Sequence, residues 1–116
     1  MSIMGKTIEL TTADGHTLAA YVTGPDDAKQ GIVVLQEIFG VNDHIKDMAE
    51  QFAAAGYKAI APALFDRAER GVDLGYGPDD RKKGFGLRGE CSDADSLADI
   101  TAAAKALGTA STGVVG

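Results

Sequence analysis

The chain has 116 residues, enough for one domain with a modest core but small for a doubly wound enzyme. Its net charge is −6, from 11 basic and 17 acidic residues, and without a basic block it carries no nucleic-acid footprint. The amino terminus Met1-Ser-Ile-Met-Gly-Lys6 has no apolar leader core, and no apolar run approaches the roughly 18 residues of a membrane span, so a soluble, cytoplasmic chain without membrane partners is expected. A single cysteine, Cys91, excludes an internal disulfide and fits a reducing compartment. Two histidines and one cysteine, far apart, give no metal-ligand spacing.

In chain order, Lys6 to Thr11 and Thr17 to Thr23 read as strands joined at Ala13-Asp14-Gly15, because Asp-Gly supplies the positive φ angles of a tight turn. Ile8 and Leu10 alternate with Glu9, and Leu18, Ala20 and Val22 alternate with Ala19 and Tyr21, which suits an antiparallel edge with one wet face. A polar loop, Gly24 to Gln30, leads into Gly31-Ile-Val-Val-Leu35. These five residues are apolar without alternation and rich in β-branched side chains, the pattern of a strand buried on both faces. The run stops at Gln36 and Glu37. A carboxylate at the carboxyl end of a buried strand, followed by Ile38, Phe39 and a flexible Gly40, lies where open α/β sheets place their ligand crevice, so Glu37 is the first candidate for function. The competing reading is an ordinary surface carboxylate.

Asn42 or Asp43 can cap a helix with Ile45, Met48, Ala49 and Phe52 at helical spacing, closing at Gly56. Tyr57 to Ala61 then forms a second buried strand, stopped by Pro62. Strand, helix and strand within about 30 residues make a βαβ unit, hence parallel strands and a right-handed crossover. Ala63 to roughly Cys91 is rich in Gly and charge and shows no clear period, so a functional loop or a loop with short helical pieces is expected. Ser92 or Asp93 caps a second helix, with Leu97, Ile100, Ala104 and Leu107 on one face, and Gly108 closes it. Thr112 to Gly116 begins a third parallel strand. Two helices are few for a parallel sheet covered on both faces, so the chain reads as incomplete.

These residues resemble the dienelactone hydrolases of the α/β-hydrolase superfamily. The resemblance runs through Gln36-Glu-Ile-Phe-Gly-Val-Asn42, Ala53-Ala-Ala-Gly-Tyr57, Ala61-Pro-Ala-Leu-Phe65 with Arg67, and Gly71-Val-Asp-Leu-Gly-Tyr76. Its specific part is the Gln-Glu-Ile-Phe-Gly-Val-Asn segment. Ala63 departs from it, since the family often has Asp after the proline. The resemblance implies an incomplete α/β-hydrolase fold over residues 1–116, a mostly parallel sheet with an amino-terminal antiparallel hairpin, cut before the Gly-x-Cys-x-Gly nucleophile elbow. It implies hydrolysis of an ester or lactone of a small carboxylate, of the carboxymethylenebutenolidase type, by a Cys-His-Asp triad lying beyond Gly116. No metal or organic cofactor is implied.

Only the front wall of the site then belongs to these residues: Glu37, which in the family interacts with the nucleophilic cysteine, and the backbone N–H of Ile38, which contributes to the oxyanion hole. A loop cation binds the substrate carboxylate in the family, for which Arg81 is the nearest candidate and Lys82 and Lys83 are rivals. At a strand end Glu37 should be desolvated and able to share a hydrogen bond with the thiol, holding it protonated until substrate arrives. The alternative to a hydrolase is a non-catalytic α/β module, either a truncated product or a small-ligand or partner-binding domain of the flavodoxin-like type. An exposed last strand would also pair with a second chain or aggregate.

Three decoys are set aside. Gly89-Glu-Cys-Ser-Asp93 begins like an elbow but lacks the final glycine and a preceding buried strand, and its acids raise a thiol pKa. Gly84-Phe-Gly-Leu-Arg-Gly89 matches a dinucleotide fingerprint formally but follows Arg81-Lys-Lys83 and no strand. His16, beside the turn, and His44, at a helix start, are both expected to be exposed.

Overall fold

In a computed structural model, described over residues 5–116, the Asp14-Gly15 turn joins β1 (Lys6–Thr11) and β2 (Thr17–Thr23) into an antiparallel hairpin pairing Lys6 with Val22 and Thr11 with Thr17. Gly15 takes φ +86°, the left-handed conformation the turn requires. Three further strands follow, β3 (Gln30–Val34), β4 (Lys58–Pro62) and β5 (Ser111–Val115), and the sheet order is β1-β2-β4-β3-β5. Pairs β3/β4 and β3/β5 are parallel, while β1/β2 and β2/β4 are antiparallel, so the expected hairpin forms one side of a mixed sheet whose other three strands are parallel. Of the hairpin only β1 is an outer strand; β2 is internal. Its supposedly wet face is therefore covered, and Tyr21 is buried there against α1, with its hydroxyl on the Glu50 carboxylate.

The crossover α1 (Asp43–Ala54) begins at Asn42, whose Oδ1 accepts from the Ile45 N–H at 3.1 Å, and Gly56 follows its end with φ +97°. It lays Ile45 and Ala49 on Val34, Ala59 and Ala61. On the opposite face α3 (Asp93–Leu107), capped by Ser92, sets Ala103 and Leu107 against Val33, Ile60, Leu18 and Leu10. Fully buried Leu18, Ile45 and Ile60 each contribute about 1.5–3 kcal/mol of transfer free energy. The sheet is thus helix-covered on both faces from β2 to β3.

Two expectations are corrected here. Leu97 is 63% exposed, because the inner face of α3 runs through Asp99 instead, a carboxylate with no exposed surface. Arg67 makes that charge tolerable: its guanidinium lies 3.0 Å from Asp99 Oδ1, 3.1 Å from Asp14 and 3.5 Å from Asp95, tying the hairpin turn to α3. Residues 63–91 are also not a loop with short pieces alone. After a 3₁₀ turn, Leu64–Arg67, they form the 13-residue helix α2 (Pro78–Glu90), started by Pro78 in its first turn. Among the described residues no helix is long and apolar enough to cross a membrane.

Candidate active site

The strand β3 lies between β4 and β5, and the chain leaves it toward β4 first and returns to β5 on its other side. Its carboxyl end is thus the point where an open sheet leaves a crevice. A cleft of about 190 Å³ opens there, lined by Gln36, Glu37 and Ile38 after β3, Leu64 and Phe65 after β4, and Arg88, Cys91 and Ser96 from the two following helices. Gln36 fastens the first two walls. Its Oε1 accepts from the Leu64 N–H at 2.8 Å and its Nε2 donates to the Glu37 carbonyl at 3.1 Å.

The segment after Gln36 is held at several points. The Gly40 N–H donates to the Glu37 carbonyl at 3.2 Å, closing a turn, and Leu74 N–H donates to the Phe39 carbonyl at 2.9 Å. Gly40 has φ +86°, and a Cβ there would lie 2.1 Å from the Val72 carbonyl oxygen, so only glycine fits. The Phe39 ring is buried and meets Tyr76 edge-on at 4.5 Å, while the Tyr76 hydroxyl accepts from Asn42 Nδ2 at 3.0 Å. Ile38 is pressed from outside by α2: a Cβ on Gly84 would sit 2.1 Å from the Ile38 carbonyl oxygen. Among the described residues no backbone carbonyl accepts from the Ile38 N–H.

Glu37 lines this cleft but is not desolvated. The 37–40 turn carries its side chain to the rim, where it is 56% exposed and its Oε1 stands 3.8 Å from His44 Nε2 in the first turn of α1. His44 is exposed as expected; His16 is not, its Nε2 being buried without a hydrogen-bond partner among the described residues. Arg81 is exposed on α2 in a separate groove with Tyr76, Pro78, Lys82 and Phe85, and Lys83 is paired with Glu69 at 3.0 Å. The cation in the Glu37 cleft is Arg88, with no carboxylate in ion-pair distance among the described residues. Sequence reasoning missed it because α2 was unrecognised. Spacing Gly84, Leu87, Arg88 and Cys91 on one helix face would have pointed to it.

Cys91 also lines the cleft, at the end of α2 rather than after a strand. Burial first, then Asp99, Glu90 and Asp95, push its thiol pKa up, and its Sγ donates to the Leu64 carbonyl at 3.6 Å. That is the environment of an inert thiol. A larger cleft, about 690 Å³, opens at the other end of the sheet beside Lys6, Thr23, Glu50 and Lys58, but Glu50 is already engaged by Tyr21, Thr23 and the Gly5 N–H.

Comparison with known proteins places the chain in a family. A Synechocystis protein provisionally named carboxymethylenebutenolidase is 41% identical over 87 residues, covering 73% of this chain and 35% of that protein. An Azospirillum brasilense protein with the same provisional name is 42% identical over 69 residues, 58% of this chain and 30% of its own length. The chain thus spans about a third of the length of these curated relatives. A crystal structure from Klebsiella pneumoniae, provisionally titled a dienelactone hydrolase, superposes with TM-score 0.67 at 31% identity, over 93% of this chain and 50% of the other. An α/β hydrolase from Novosphingobium aromaticivorans shares the fold at 16% identity, with TM-score 0.64 over all of this chain and 36% of its own. Residues 18–116 match the sequence model of the dienelactone hydrolase family, and the chain belongs to that family.

Proposed function

We propose that these residues form the front wall of a carboxylic ester hydrolase site, completed by a nucleophile, an aspartate and a histidine that follow Gly116 in the full-length protein. The observation that carries the reading is the direction of β5. The Leu35 N–H donates to the Val115 carbonyl at 2.8 Å, and a Cβ on Gly116 would lie 2.7 Å from Leu35 Cβ, so the next residue enters beside Gln36 and Glu37. An elbow there would lie beside Glu37 and Ile38, which line one small cleft.

The chemistry is acyl transfer. A thiol or hydroxyl passes its proton to the histidine or to Glu37, and its sulfur or oxygen bonds to the acyl carbon of an ester or lactone. The carbonyl electron pair moves onto oxygen, where the Ile38 N–H donates to it. The carbon–oxygen bond to the leaving group then breaks, the alcohol takes the proton, and water cleaves the acyl-enzyme to release the carboxylate and restore the nucleophile. Arg88, because it lines the same cleft, is the proposed partner of a substrate carboxylate, with Arg81 in its separate groove as the competitor. A cytoplasmic setting goes with this reading, Cys91 being a free thiol. The outer edge of β5 accepts a further strand; light scattering that shows a stable monomer of the 116-residue chain counts against pairing between copies.

The test starts with the coding sequence, in which Gly-x-Cys-x-Gly or its Ser counterpart is expected within about ten residues after Gly116. The extended protein should hydrolyse 4-nitrophenyl hemisuccinate and butyrate. Arg88→Gln should raise KM for the anionic ester about tenfold and leave the neutral one unchanged, the worth of one charge-assisted hydrogen bond. A verified gene without an elbow, or hydrolysis no faster than buffer, favours the non-catalytic α/β module.

A further inference from the structure

We propose that His44 is a positioning residue: in its protonated form it draws the Glu37 carboxylate to the rim of the cleft and withdraws it from the reacting atoms. The inference rests on the reading of Glu37 given above. Its basis is the approach of Glu37 Oε1 to His44 Nε2 at 3.8 Å, too long for a hydrogen bond from a neutral imidazole and within reach of an ion pair. The backbones that carry the two groups are fixed relative to each other. Asn42 caps the helix that carries His44, and the Glu37–Gly40 turn, bridged in turn to Asp73, fixes the backbone that carries Glu37. Both side chains are more than half exposed, so each can rotate between the rim and a second position without unpacking anything.

Glu37 borders two environments. Along the cleft wall lie Arg88, itself exposed, and the neutral thiol of Cys91; at the rim stand His44 and the amino end of α1, whose dipole favours an anion. Asp43 and Asp47 flank His44 on α1, and Asp73 and Tyr76 belong to the strand-like segment bridged to Gly40. All of these remain when His44 or Glu37 is changed, so their effect cancels in a comparison of variants. A histidine changes charge between about pH 5 and 8, and in that window only its protonated form adds an attraction for the carboxylate. Acidification therefore parks Glu37 outside, and a neutral His44 releases it.

The experiment measures kcat/KM from pH 5.5 to 8 for hydrolysis of 4-nitrophenyl butyrate by the full-length protein, as wild type, His44→Gln, Glu37→Gln and the double variant. His44→Gln should exceed wild type by about threefold at pH 5.5, the scale of an exposed ion pair, and match it at pH 8. In the Glu37→Gln background the same substitution should change nothing at either pH. A merely structural histidine would lower activity and melting temperature at every pH. Superimposable wild-type and His44→Gln profiles, or an equal His44→Gln effect with and without Glu37, overturn the proposal. Failure of every variant, wild type included, to hydrolyse the ester overturns the hydrolase reading instead.

Discussion

Three glycines on α2 supply a test in which one substitution has opposite signs on one helix. Gly84, Gly86 and Gly89 all sit inside Pro78–Glu90, where replacing Gly by Ala gains about 1 kcal/mol of helix propensity. At Gly86 and Gly89 an added Cβ meets nothing within 4 Å, so that gain stands alone. At Gly84 the Cβ would lie 2.1 Å from the Ile38 carbonyl oxygen and 3.2 Å from Ile38 Cβ. Ordinary contact begins more than 1 Å farther out, and the obstacle is backbone, so α2 must move or Ile38 must. Overpacking of this kind costs about 1–3 kcal/mol, and relief would tear at the turn that holds Glu37 and Ile38. Urea unfolding followed by circular dichroism should show Gly86→Ala and Gly89→Ala each stabilised by roughly 0.5–1 kcal/mol and Gly84→Ala destabilised by about 1–2 kcal/mol. Gly84→Ala as stable as the other two would refute close packing of α2 on Ile38, and with it the account of how the Ile38 peptide is held.

The Arg67 network predicts an asymmetric response. Arg67→Ala strands the fully buried Asp99 and should cost about 3–5 kcal/mol in denaturant unfolding, far more than Lys83→Ala, which breaks a half-exposed pair with Glu69. Hydrogen bonding from Arg67, then from Thr12, holds the Asp14 carboxyl well below the usual carboxylate range. Its folded pKa is depressed, so its contribution is complete above the unfolded value and fades as pH falls through the acid range; the stability gap between wild type and Asp14→Asn should shrink on acidification below about pH 4. Tyr21 is the reverse case. Burial, then the hydrogen bond to Glu50, pushes its phenol up to about 12, so its contribution is complete below the unfolded value near 10 and is lost as pH rises toward 12. Tyr21→Phe should remove the latest step of the alkaline absorbance titration.

Local signals that agree with tertiary demand were legible. The Asp14-Gly15 turn, the Asn42 and Ser92 caps and the unalternating Ile32-Val33-Val34 run each fix one element, and together they give the hairpin, both covering helices and all five strands within a residue or two. What was hidden had its cause in contacts between distant residues. Helix α2 carries three glycines and buries only Gly84 and Leu87, so it has neither propensity nor an apolar stripe to announce it; it exists where it does because glycine lets its backbone reach Ile38. Asp99 breaks the apolar face of α3, and nothing near it in sequence reveals that Arg67 neutralises it. At the cleft, the position of Glu37 was legible from a strand ending in a polar pair, whereas Ile38 was singled out only by the family resemblance. The exposure of Glu37, its meeting with His44 and the presence of Arg88 were not, since they depend on a four-residue turn and on an unrecognised helix.

The central claim is that Glu37 serves acyl transfer at the carboxyl end of β3. Its most direct test is kcat/KM of the full-length protein on 4-nitrophenyl butyrate for Glu37→Gln, which keeps shape and removes the charge. A fall of about a hundredfold or more, with an unchanged melting temperature, is the predicted result. Turnover equal to wild type would contradict it.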